Sequence, residues 1–222
     1  GMPPAENMGA WMDWRRFHAA IIGEFMAWEA DFFKTQRPDV PRSTNLAGPL
    51  DHWYAIRSGD NYLCSRPMDV VGIDIYPTQW SSRVLIPYTM DMSTGVAAGR
   101  DVHVLECDVF SEKRWKDYSE SQRADMLRGE LWTMVGHGAR AILMWGFSRG
   151  DEFSLTNGEK NERYLSVQRM ARQLKLIGID DFRRIPAQVA VCVDPDSYIF
   201  SAGREEKPHQ LSTHEDAEAH GM

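Results

Sequence analysis

Four candidate strands in this chain carry, at or near their ends, side chains able to do chemistry. Residues 101–106 close on Glu106, and residues 68–77 carry Asp74 and Tyr76 near their end. Residues 42–46 carry Asn45, and residues 139–147 carry Trp145, with Arg149 and Glu152 just beyond. A carboxylate at the end of an apolar strand is costly unless a charged or hydrogen-bonding group meets it. Glu106 is therefore either half of a strand-end ion pair or a catalytic carboxylate. Recurrence at four run ends favours catalysis, because parallel α/β folds gather functional groups at the carboxyl ends of their strands. Asp74 also fits a simpler role, a carboxylate bonding backbone groups where strand turns to loop.

The elements that must position these groups alternate. Residues 14–34 have helical spacing, with Trp14, Phe17, Ile21, Ile22, Phe25, Met26, Trp28, Phe32 and Phe33 forming a broad face that is expected to be buried. The β-branched run 68–77 closes on a proline, as a buried parallel strand does. Residues 85–96 are ambiguous between helix and other structure. Residues 122–137 form an amphipathic helix, with Gly138 placed to cap it. A second helix spans 165–177 and stops at Gly178, and residues 187–194 read as a further buried strand. Strands alternating with helices predict an α/β fold with a parallel sheet. Residues 203–222 are polar and rich in His and Glu, and are expected to be a loosely packed tail.

Composition narrows the function. At 43% hydrophobic residues the chain can build a core. A net charge of −7 argues against a nucleic-acid partner, which calls for a basic surface. No run approaches the roughly 18 apolar residues of a membrane helix, and the first residues lack a secretory pattern, so a cytoplasmic protein with no membrane partner is expected. Cys64, Cys107 and Cys192 fit neither a metal motif nor an even disulfide framework, and reduced thiols are expected. The tail histidines His209, His214 and His220 lack ligand spacing, and His103 lies inside a strand as a core histidine would. No metal and no cofactor are expected. The eight Trp and seven Tyr serve either core packing or stacking on sugar rings.

Several stretches carry a family resemblance: Asp13-Trp14-Arg15-Arg16-Phe17, Ser43-Thr44-Asn45, Met68 through Pro77, Leu105-Glu106 and Gly136-His137-Gly138-Ala139. In order and spacing they resemble glycoside hydrolase family 42, the barrel-type β-galactosidases. The resemblance implies a partial (β/α)8 TIM barrel, about strands five to eight with their helices, followed by the first strand of another α/β domain. The implied division is a tag remnant and lead segment over 1–12, barrel over 13–184, following domain from 185 to 202, and tail from 203. It implies Glu106 as the nucleophile of a retaining glycosidase. Tyr76 matches an active-site tyrosine beside that nucleophile, and Asn45 and Asp74 would line the pocket. Trp115 matches a sugar-stacking Trp displaced by one residue, and Glu152 matches a glutamate that binds sugar hydroxyls. Leu155 stands where the family has a His, and Cys107-Asp108 departs from the usual residues after the nucleophile, so galactose specificity does not carry over automatically.

The family's acid/base glutamate follows an Asn at the end of the fourth barrel strand. Here Glu6-Asn7 is reversed and sits in a Pro-rich lead. The expectation is a fragment of a hydrolase of β-galactoside-like substrates, inactive alone, forming homo-oligomers that cover its half-barrel edges. The alternative is a non-catalytic carbohydrate-binding or assembly module on a decayed barrel. A lyase using Glu106 as a base is a further option, one for which no strand-end Lys is present to form a Schiff base.

Overall fold

The computed structural model describes residues 7–46, 60–76, 82–108, 117–145, 160–178 and 188–197. The chain divides into two compact units: one of Gly1–Arg42, Pro49–Met68 and Ala187–Met222, the other of Ser43–Gly48 and Asp69–Pro186.

The second unit is a mixed α/β structure. Its four strands are β1 (Asn45–Leu46), β2 (Val71–Ile75), β3 (Val102–Asp108) and β4 (Ala139–Trp145), hydrogen-bonded in that order. Every neighbouring pair is parallel. Helices fill the crossovers that parallel pairing requires: α3 (Ser82–Ala97) between β2 and β3, and α4 (Glu120–Gly136) between β3 and β4. The β-branched residues do what their pattern predicts, since Val71, Ile73, Ile75, Val102 and Val104 are all at most 2% exposed.

Helix α3 resolves the ambiguous stretch. Its buried face mixes Ile86 and Met90 with Thr89 and Ser93, which dilutes the apolar periodicity that a sequence reading depends on. Ser93 Oγ back-bonds along the helix to the Thr89 carbonyl at 2.7 Å, as the half-buried Thr94 Oγ1 does to that of Met90 at 2.6 Å, whereas Thr89 Oγ1 is buried with no hydrogen-bond partner among the described residues. Helix α4 starts on a capping box in which Ser119 and Gln122 satisfy each other's backbone N–H groups. Past its end Gly138 adopts φ +104°, a left-handed conformation suited to glycine. Helix α5 (Glu162–Ile177) ends at Gly178, also at positive φ. It packs on α4 through Arg163, whose buried guanidinium donates to Glu120 at 2.7 Å.

In the first unit, α1 (Met8–Gln36) is capped by Asn7 and packs on the short α2 (Asn61–Ser65). Its sequence-predicted face is corrected here. Trp14, Phe17, Ile21, Phe25, Trp28, Phe32 and Phe33 are between 45% and 63% exposed, while Met12, Arg15, Ala19, Gly23 and Ala30 are buried. Small residues win the buried side because they allow close approach: a Cβ on Gly23 would stand 3.0 Å from that of Leu63. Arg16 ties α1 to Asp196 through two guanidinium nitrogens, the closer contact 2.6 Å.

The strand expected over 187–194 is also corrected. Residues 189–194 adopt no strand, and Val189 and Val191 are 79% and 77% exposed. Alternating valines make a strand only where a neighbouring edge pairs with them. Cys64 and Cys107 are buried, Cys192 is exposed, and all three are unbridged. Burial, then the charge of Asp60, pushes the Cys64 thiol above its usual range. Among the described residues no helix is long and apolar enough to cross a membrane. The tail from 203 lies outside the described residues.

Candidate active site

Strand β3 would bury Glu106 if its pleat were regular. Side chains alternate along a strand, and Val102 and Val104 are 1% and 0% exposed. Position 106 would follow them into that face. Instead β3 carries one extra residue there. Ile73 pairs with Val104 and Asp74 with Glu106, so Leu105 has no counterpart on β2. On the other side, β3 advances from Val104 to Cys107 while β4 advances only from Ile142 to Met144. The bulge shifts the phase by one, and Cys107, 1% exposed, takes the buried position. Glu106 is released to the opposite face and is half-buried. Bulges re-aim side chains in this way beside functional sites.

On that face two donors converge on the carboxylate. The Tyr76 hydroxyl donates to Glu106 Oε1. Asn45 Nδ2 donates to Glu106 Oε2 at 3.2 Å. Three successive strands thus contribute one side chain each: Asn45 opens the two-residue β1, Tyr76 follows β2 directly, and Glu106 stands two residues before the end of β3. Both neighbours donate and Glu106 accepts at each oxygen, which matches the acceptor-only character of an ionised carboxylate. The two bonds also fix the plane of the carboxyl group.

Asn45 reaches Glu106 across the whole width of β2. Adjacent strands lie about 4.8 Å apart, so β1 and β3 are separated by roughly twice that. Asn45 is in register with Gly72. A Cβ at Gly72 would collide with the Leu105 side chain and would stand 2.5 Å from the Thr44 carbonyl and 2.6 Å from Ser43 Oγ. The missing side chain therefore lets the β1 segment and Leu105 fold over β2. Sequence reasoning did not single out Gly72. The signal was present, since a glycine inside a β-branched run marks a close approach.

Of the other expected site residues, Asp74 is in register with Glu106 and half-buried. Trp145 ends β4 opposite Asp108, 64% exposed, and takes no part in the hydrogen bonds that define the cluster. Trp115 and Glu152 lie outside the described residues. Among the described residues no group of three His, Cys, Asp or Glu side chains is arranged to hold a metal ion.

The family profile of glycosyl hydrolase family 42, described as beta-galactosidase, matches residues 1–172. The chain belongs to that family. It is similar to the beta-galactosidase BgaP of Planococcus sp. (strain L4), 26% identical over 145 residues that make up 65% of this chain and 20% of that protein. The beta-galactosidase bgaB of Geobacillus kaustophilus is 23% identical over 220 residues, 93% of this chain and 31% of that protein. The crystal structure of a beta-galactosidase from Bacillus circulans sp. alkalophilus has the same fold over 92% of this chain and 31% of its own, with a TM-score of 0.69 and 22% identity. The chain thus spans no more than about a third of the length of these proteins.

Proposed function

We propose that this chain is the carboxyl-terminal part of a (β/α)8 barrel, strands five to eight, from a retaining glycoside hydrolase of β-galactoside-like substrates. Glu106 is its nucleophile. The observation that carries the proposal is the Glu106 carboxylate held by Tyr76 and Asn45 across three successive parallel strands, in a family 42 chain. The carboxylate attacks the anomeric carbon and forms a glycosyl-enzyme ester as the aglycone leaves. Tyr76 and Asn45 hold both oxygens in one plane while this happens. Asp74, Trp145, Trp115 and Glu152 are assigned to the sugar-binding surface. Residues 13–184 constitute the barrel segment, 185–202 the start of the next domain.

Retention needs a second carboxyl about 5 Å from the first, to protonate the leaving oxygen and later activate water. The family's acid/base glutamate follows an Asn at a strand end, no strand among the described residues ends on an Asn-Glu pair, and Asp74 is assigned to sugar binding, so the 222-residue chain is expected to turn over no ordinary galactoside. Its nucleophile can still be tested. A dinitrophenyl 2-deoxy-2-fluoro-β-galactoside has a leaving group that departs without protonation. Incubated with the chain, it is expected to leave a fluorogalactosyl ester on Glu106, read by peptide mass spectrometry and abolished in Glu106→Gln. A label on another carboxylate would sink the assignment. No label on this chain or on a full-length protein containing it would favour a binding module instead.

The same reading holds that a second copy covers the open edges of the sheet at β1 and β4, where Leu143 and Trp145 share an exposed face. Light scattering after size exclusion is expected to give a dimer mass, and a monodisperse monomer would remove this element.

A further inference from the structure

Leu105 is the extra residue of the β3 bulge, and the register gives it no partner on β2. A bulge interrupts the ladder at that point, so the backbone just before Glu106 relies on side-chain packing to hold its course. The Leu105 side chain supplies that packing by leaning back across β2. Its Cδ1 occupies the space over Gly72, nearer to where a Cβ would stand than the Thr44 carbonyl at 2.5 Å or Ser43 Oγ at 2.6 Å. Diagonal neighbours on adjacent strands are within reach of long side chains. Leucine reaches with its δ-methyl group, and valine ends one carbon short. Groups from both flanks of β2 thus share one small volume over a glycine.

That volume lies on the face that carries the candidate site. Side chains alternate along β2, and Val71 and Ile73, each 1% exposed, point the other way from Gly72. Asn45 is in register with Gly72 and Glu106 with Asp74, so the 3.2 Å bond between Asn45 and Glu106 crosses β2 on a diagonal. Leu105 follows the same diagonal from the bulge to Gly72. The contact is complete within the sheet unit, since Ser43, Thr44, Gly72 and Leu105 all belong to it. Packed groups transmit displacement. A shorter side chain at position 105 leaves a gap, and the bulge or the β1 segment moves to close it. At 3.2 Å the Asn45 bond is at the long end of the N–H···O range, so a shift of a few tenths of an ångström breaks it. We propose that Leu105 is a positioning residue for the nucleophile, packed over Gly72 against the Ser43–Thr44 segment so that Asn45 keeps hold of the Glu106 carboxylate. The proposal rests on the reading of Glu106 as that nucleophile.

The test uses the 222-residue chain with nitrogen-15 in its asparagines. Nuclear magnetic resonance reads the Asn45 side-chain amide, assigned by its absence in Asn45→Ala. Glu106→Gln removes the carboxylate acceptor and is expected to move that signal. Leu105→Val keeps a residue suited to a strand but loses the reach to Gly72. It is expected to move the Asn45 signal in the same direction as Glu106→Gln, with an unchanged circular dichroism spectrum. It should also slow the maximum rate of fluoro-sugar labelling of Glu106 about tenfold, while the sugar concentration giving half that rate changes less than about twofold. Leu105→Met reaches Gly72 again and is expected to restore the amide signal and to bring the rate back within about twofold of the parent. Gly72→Ala crowds the same volume from the β2 side and should move the amide signal as well. An Asn45 signal that stays in place in both Leu105→Val and Gly72→Ala would overturn the proposal. So would equal slowing by Leu105→Val and Leu105→Met, which would make the site one of bulk packing. A parent chain that takes the label on another carboxylate would remove the nucleophile reading instead, and the amide signal would still decide what Leu105 holds in place.

Discussion

Strand β2 and helix α1 are both apolar elements, and they dispose of their large side chains in opposite ways. β2 buries Val71, Ile73 and Ile75 almost completely and turns Asp74 and Tyr76 toward the open face. α1 buries alanine, glycine and a methionine and leaves Trp, Phe and Ile half exposed. The difference lies in what each element has to pack against. β2 has a strand on either side and α3 packed against it. α1 has the short α2, approached so closely that only small residues fit between them. Side-chain size does not decide burial; the shape of the available neighbour does.

The sharpest way to break this comparison is to truncate one large residue in each region. Ile73→Ala removes a side chain that is 1% exposed, and it is expected to destabilise the sheet unit by about 2–5 kcal/mol. Trp28→Ala removes a larger side chain that is 63% exposed, and it should shift stability by no more than about 0.5 kcal/mol. Urea unfolding of the two variants measures both. Equal losses would mean that α1's aromatic face is already covered in the isolated chain.

The sheet was legible in the sequence because its signals are local and redundant. β-branched runs and the glycines at 138 and 178 each mark an element boundary by their own chemistry, whereas the caps at Ser119 and Asn161, which start their helices two to three residues earlier than expected, went unread. The strand-end rule then found Asn45, Tyr76 and Glu106, and all three meet. Three features were not legible, each because it depends on a partner distant in sequence. Periodicity identified α1 as a helix but could not say which stripe was buried, since α2 lies well downstream in the chain. The run 187–194 reads as a strand, yet residues 189–194 pair with no strand among the described residues. The bulge at Leu105 leaves no mark in a single sequence, because it exists only relative to the registers of β2 and β4.

Two glycines sharpen the comparison at a smaller scale. Gly72→Ala forces a methyl group against the Thr44 carbonyl, which is backbone and cannot swing aside. A loss of about 1–3 kcal/mol is expected from overpacking. The displacement of β1 should also break the Asn45 bond to Glu106, visible as slower fluoro-sugar labelling. Gly23→Ala meets Leu63 Cβ at 3.0 Å, a contact relieved only if the short α2 moves by a few tenths of an ångström. Here the gain in helix propensity, about 1 kcal/mol, offsets the crowding, and the net change should stay within about 0.5 kcal/mol. Thermal unfolding separates the cases. A Gly72→Ala variant as stable as its parent would mean that nothing need pass over β2.

The smallest expected effects concern the donors on Glu106, and they distinguish orientation from folding. Asn45 and Tyr76 are both exposed, and each contributes one hydrogen bond to a charged group. Asn45→Ala and Tyr76→Phe should therefore leave stability within about 0.5 kcal/mol of the parent. A bond to a carboxylate is worth about 1.5–3 kcal/mol, but here part of that is recovered from water at the exposed face. Labelling of Glu106 is accordingly expected to slow by about tenfold in each variant. Because each donor binds a different oxygen, removing one leaves the carboxyl group free to rotate about the bond that remains. The double variant should then lose less than the product of the two single losses, since planarity is already gone after the first. Strictly multiplicative losses would mean that the two donors act independently, and that holding the plane is not what they do.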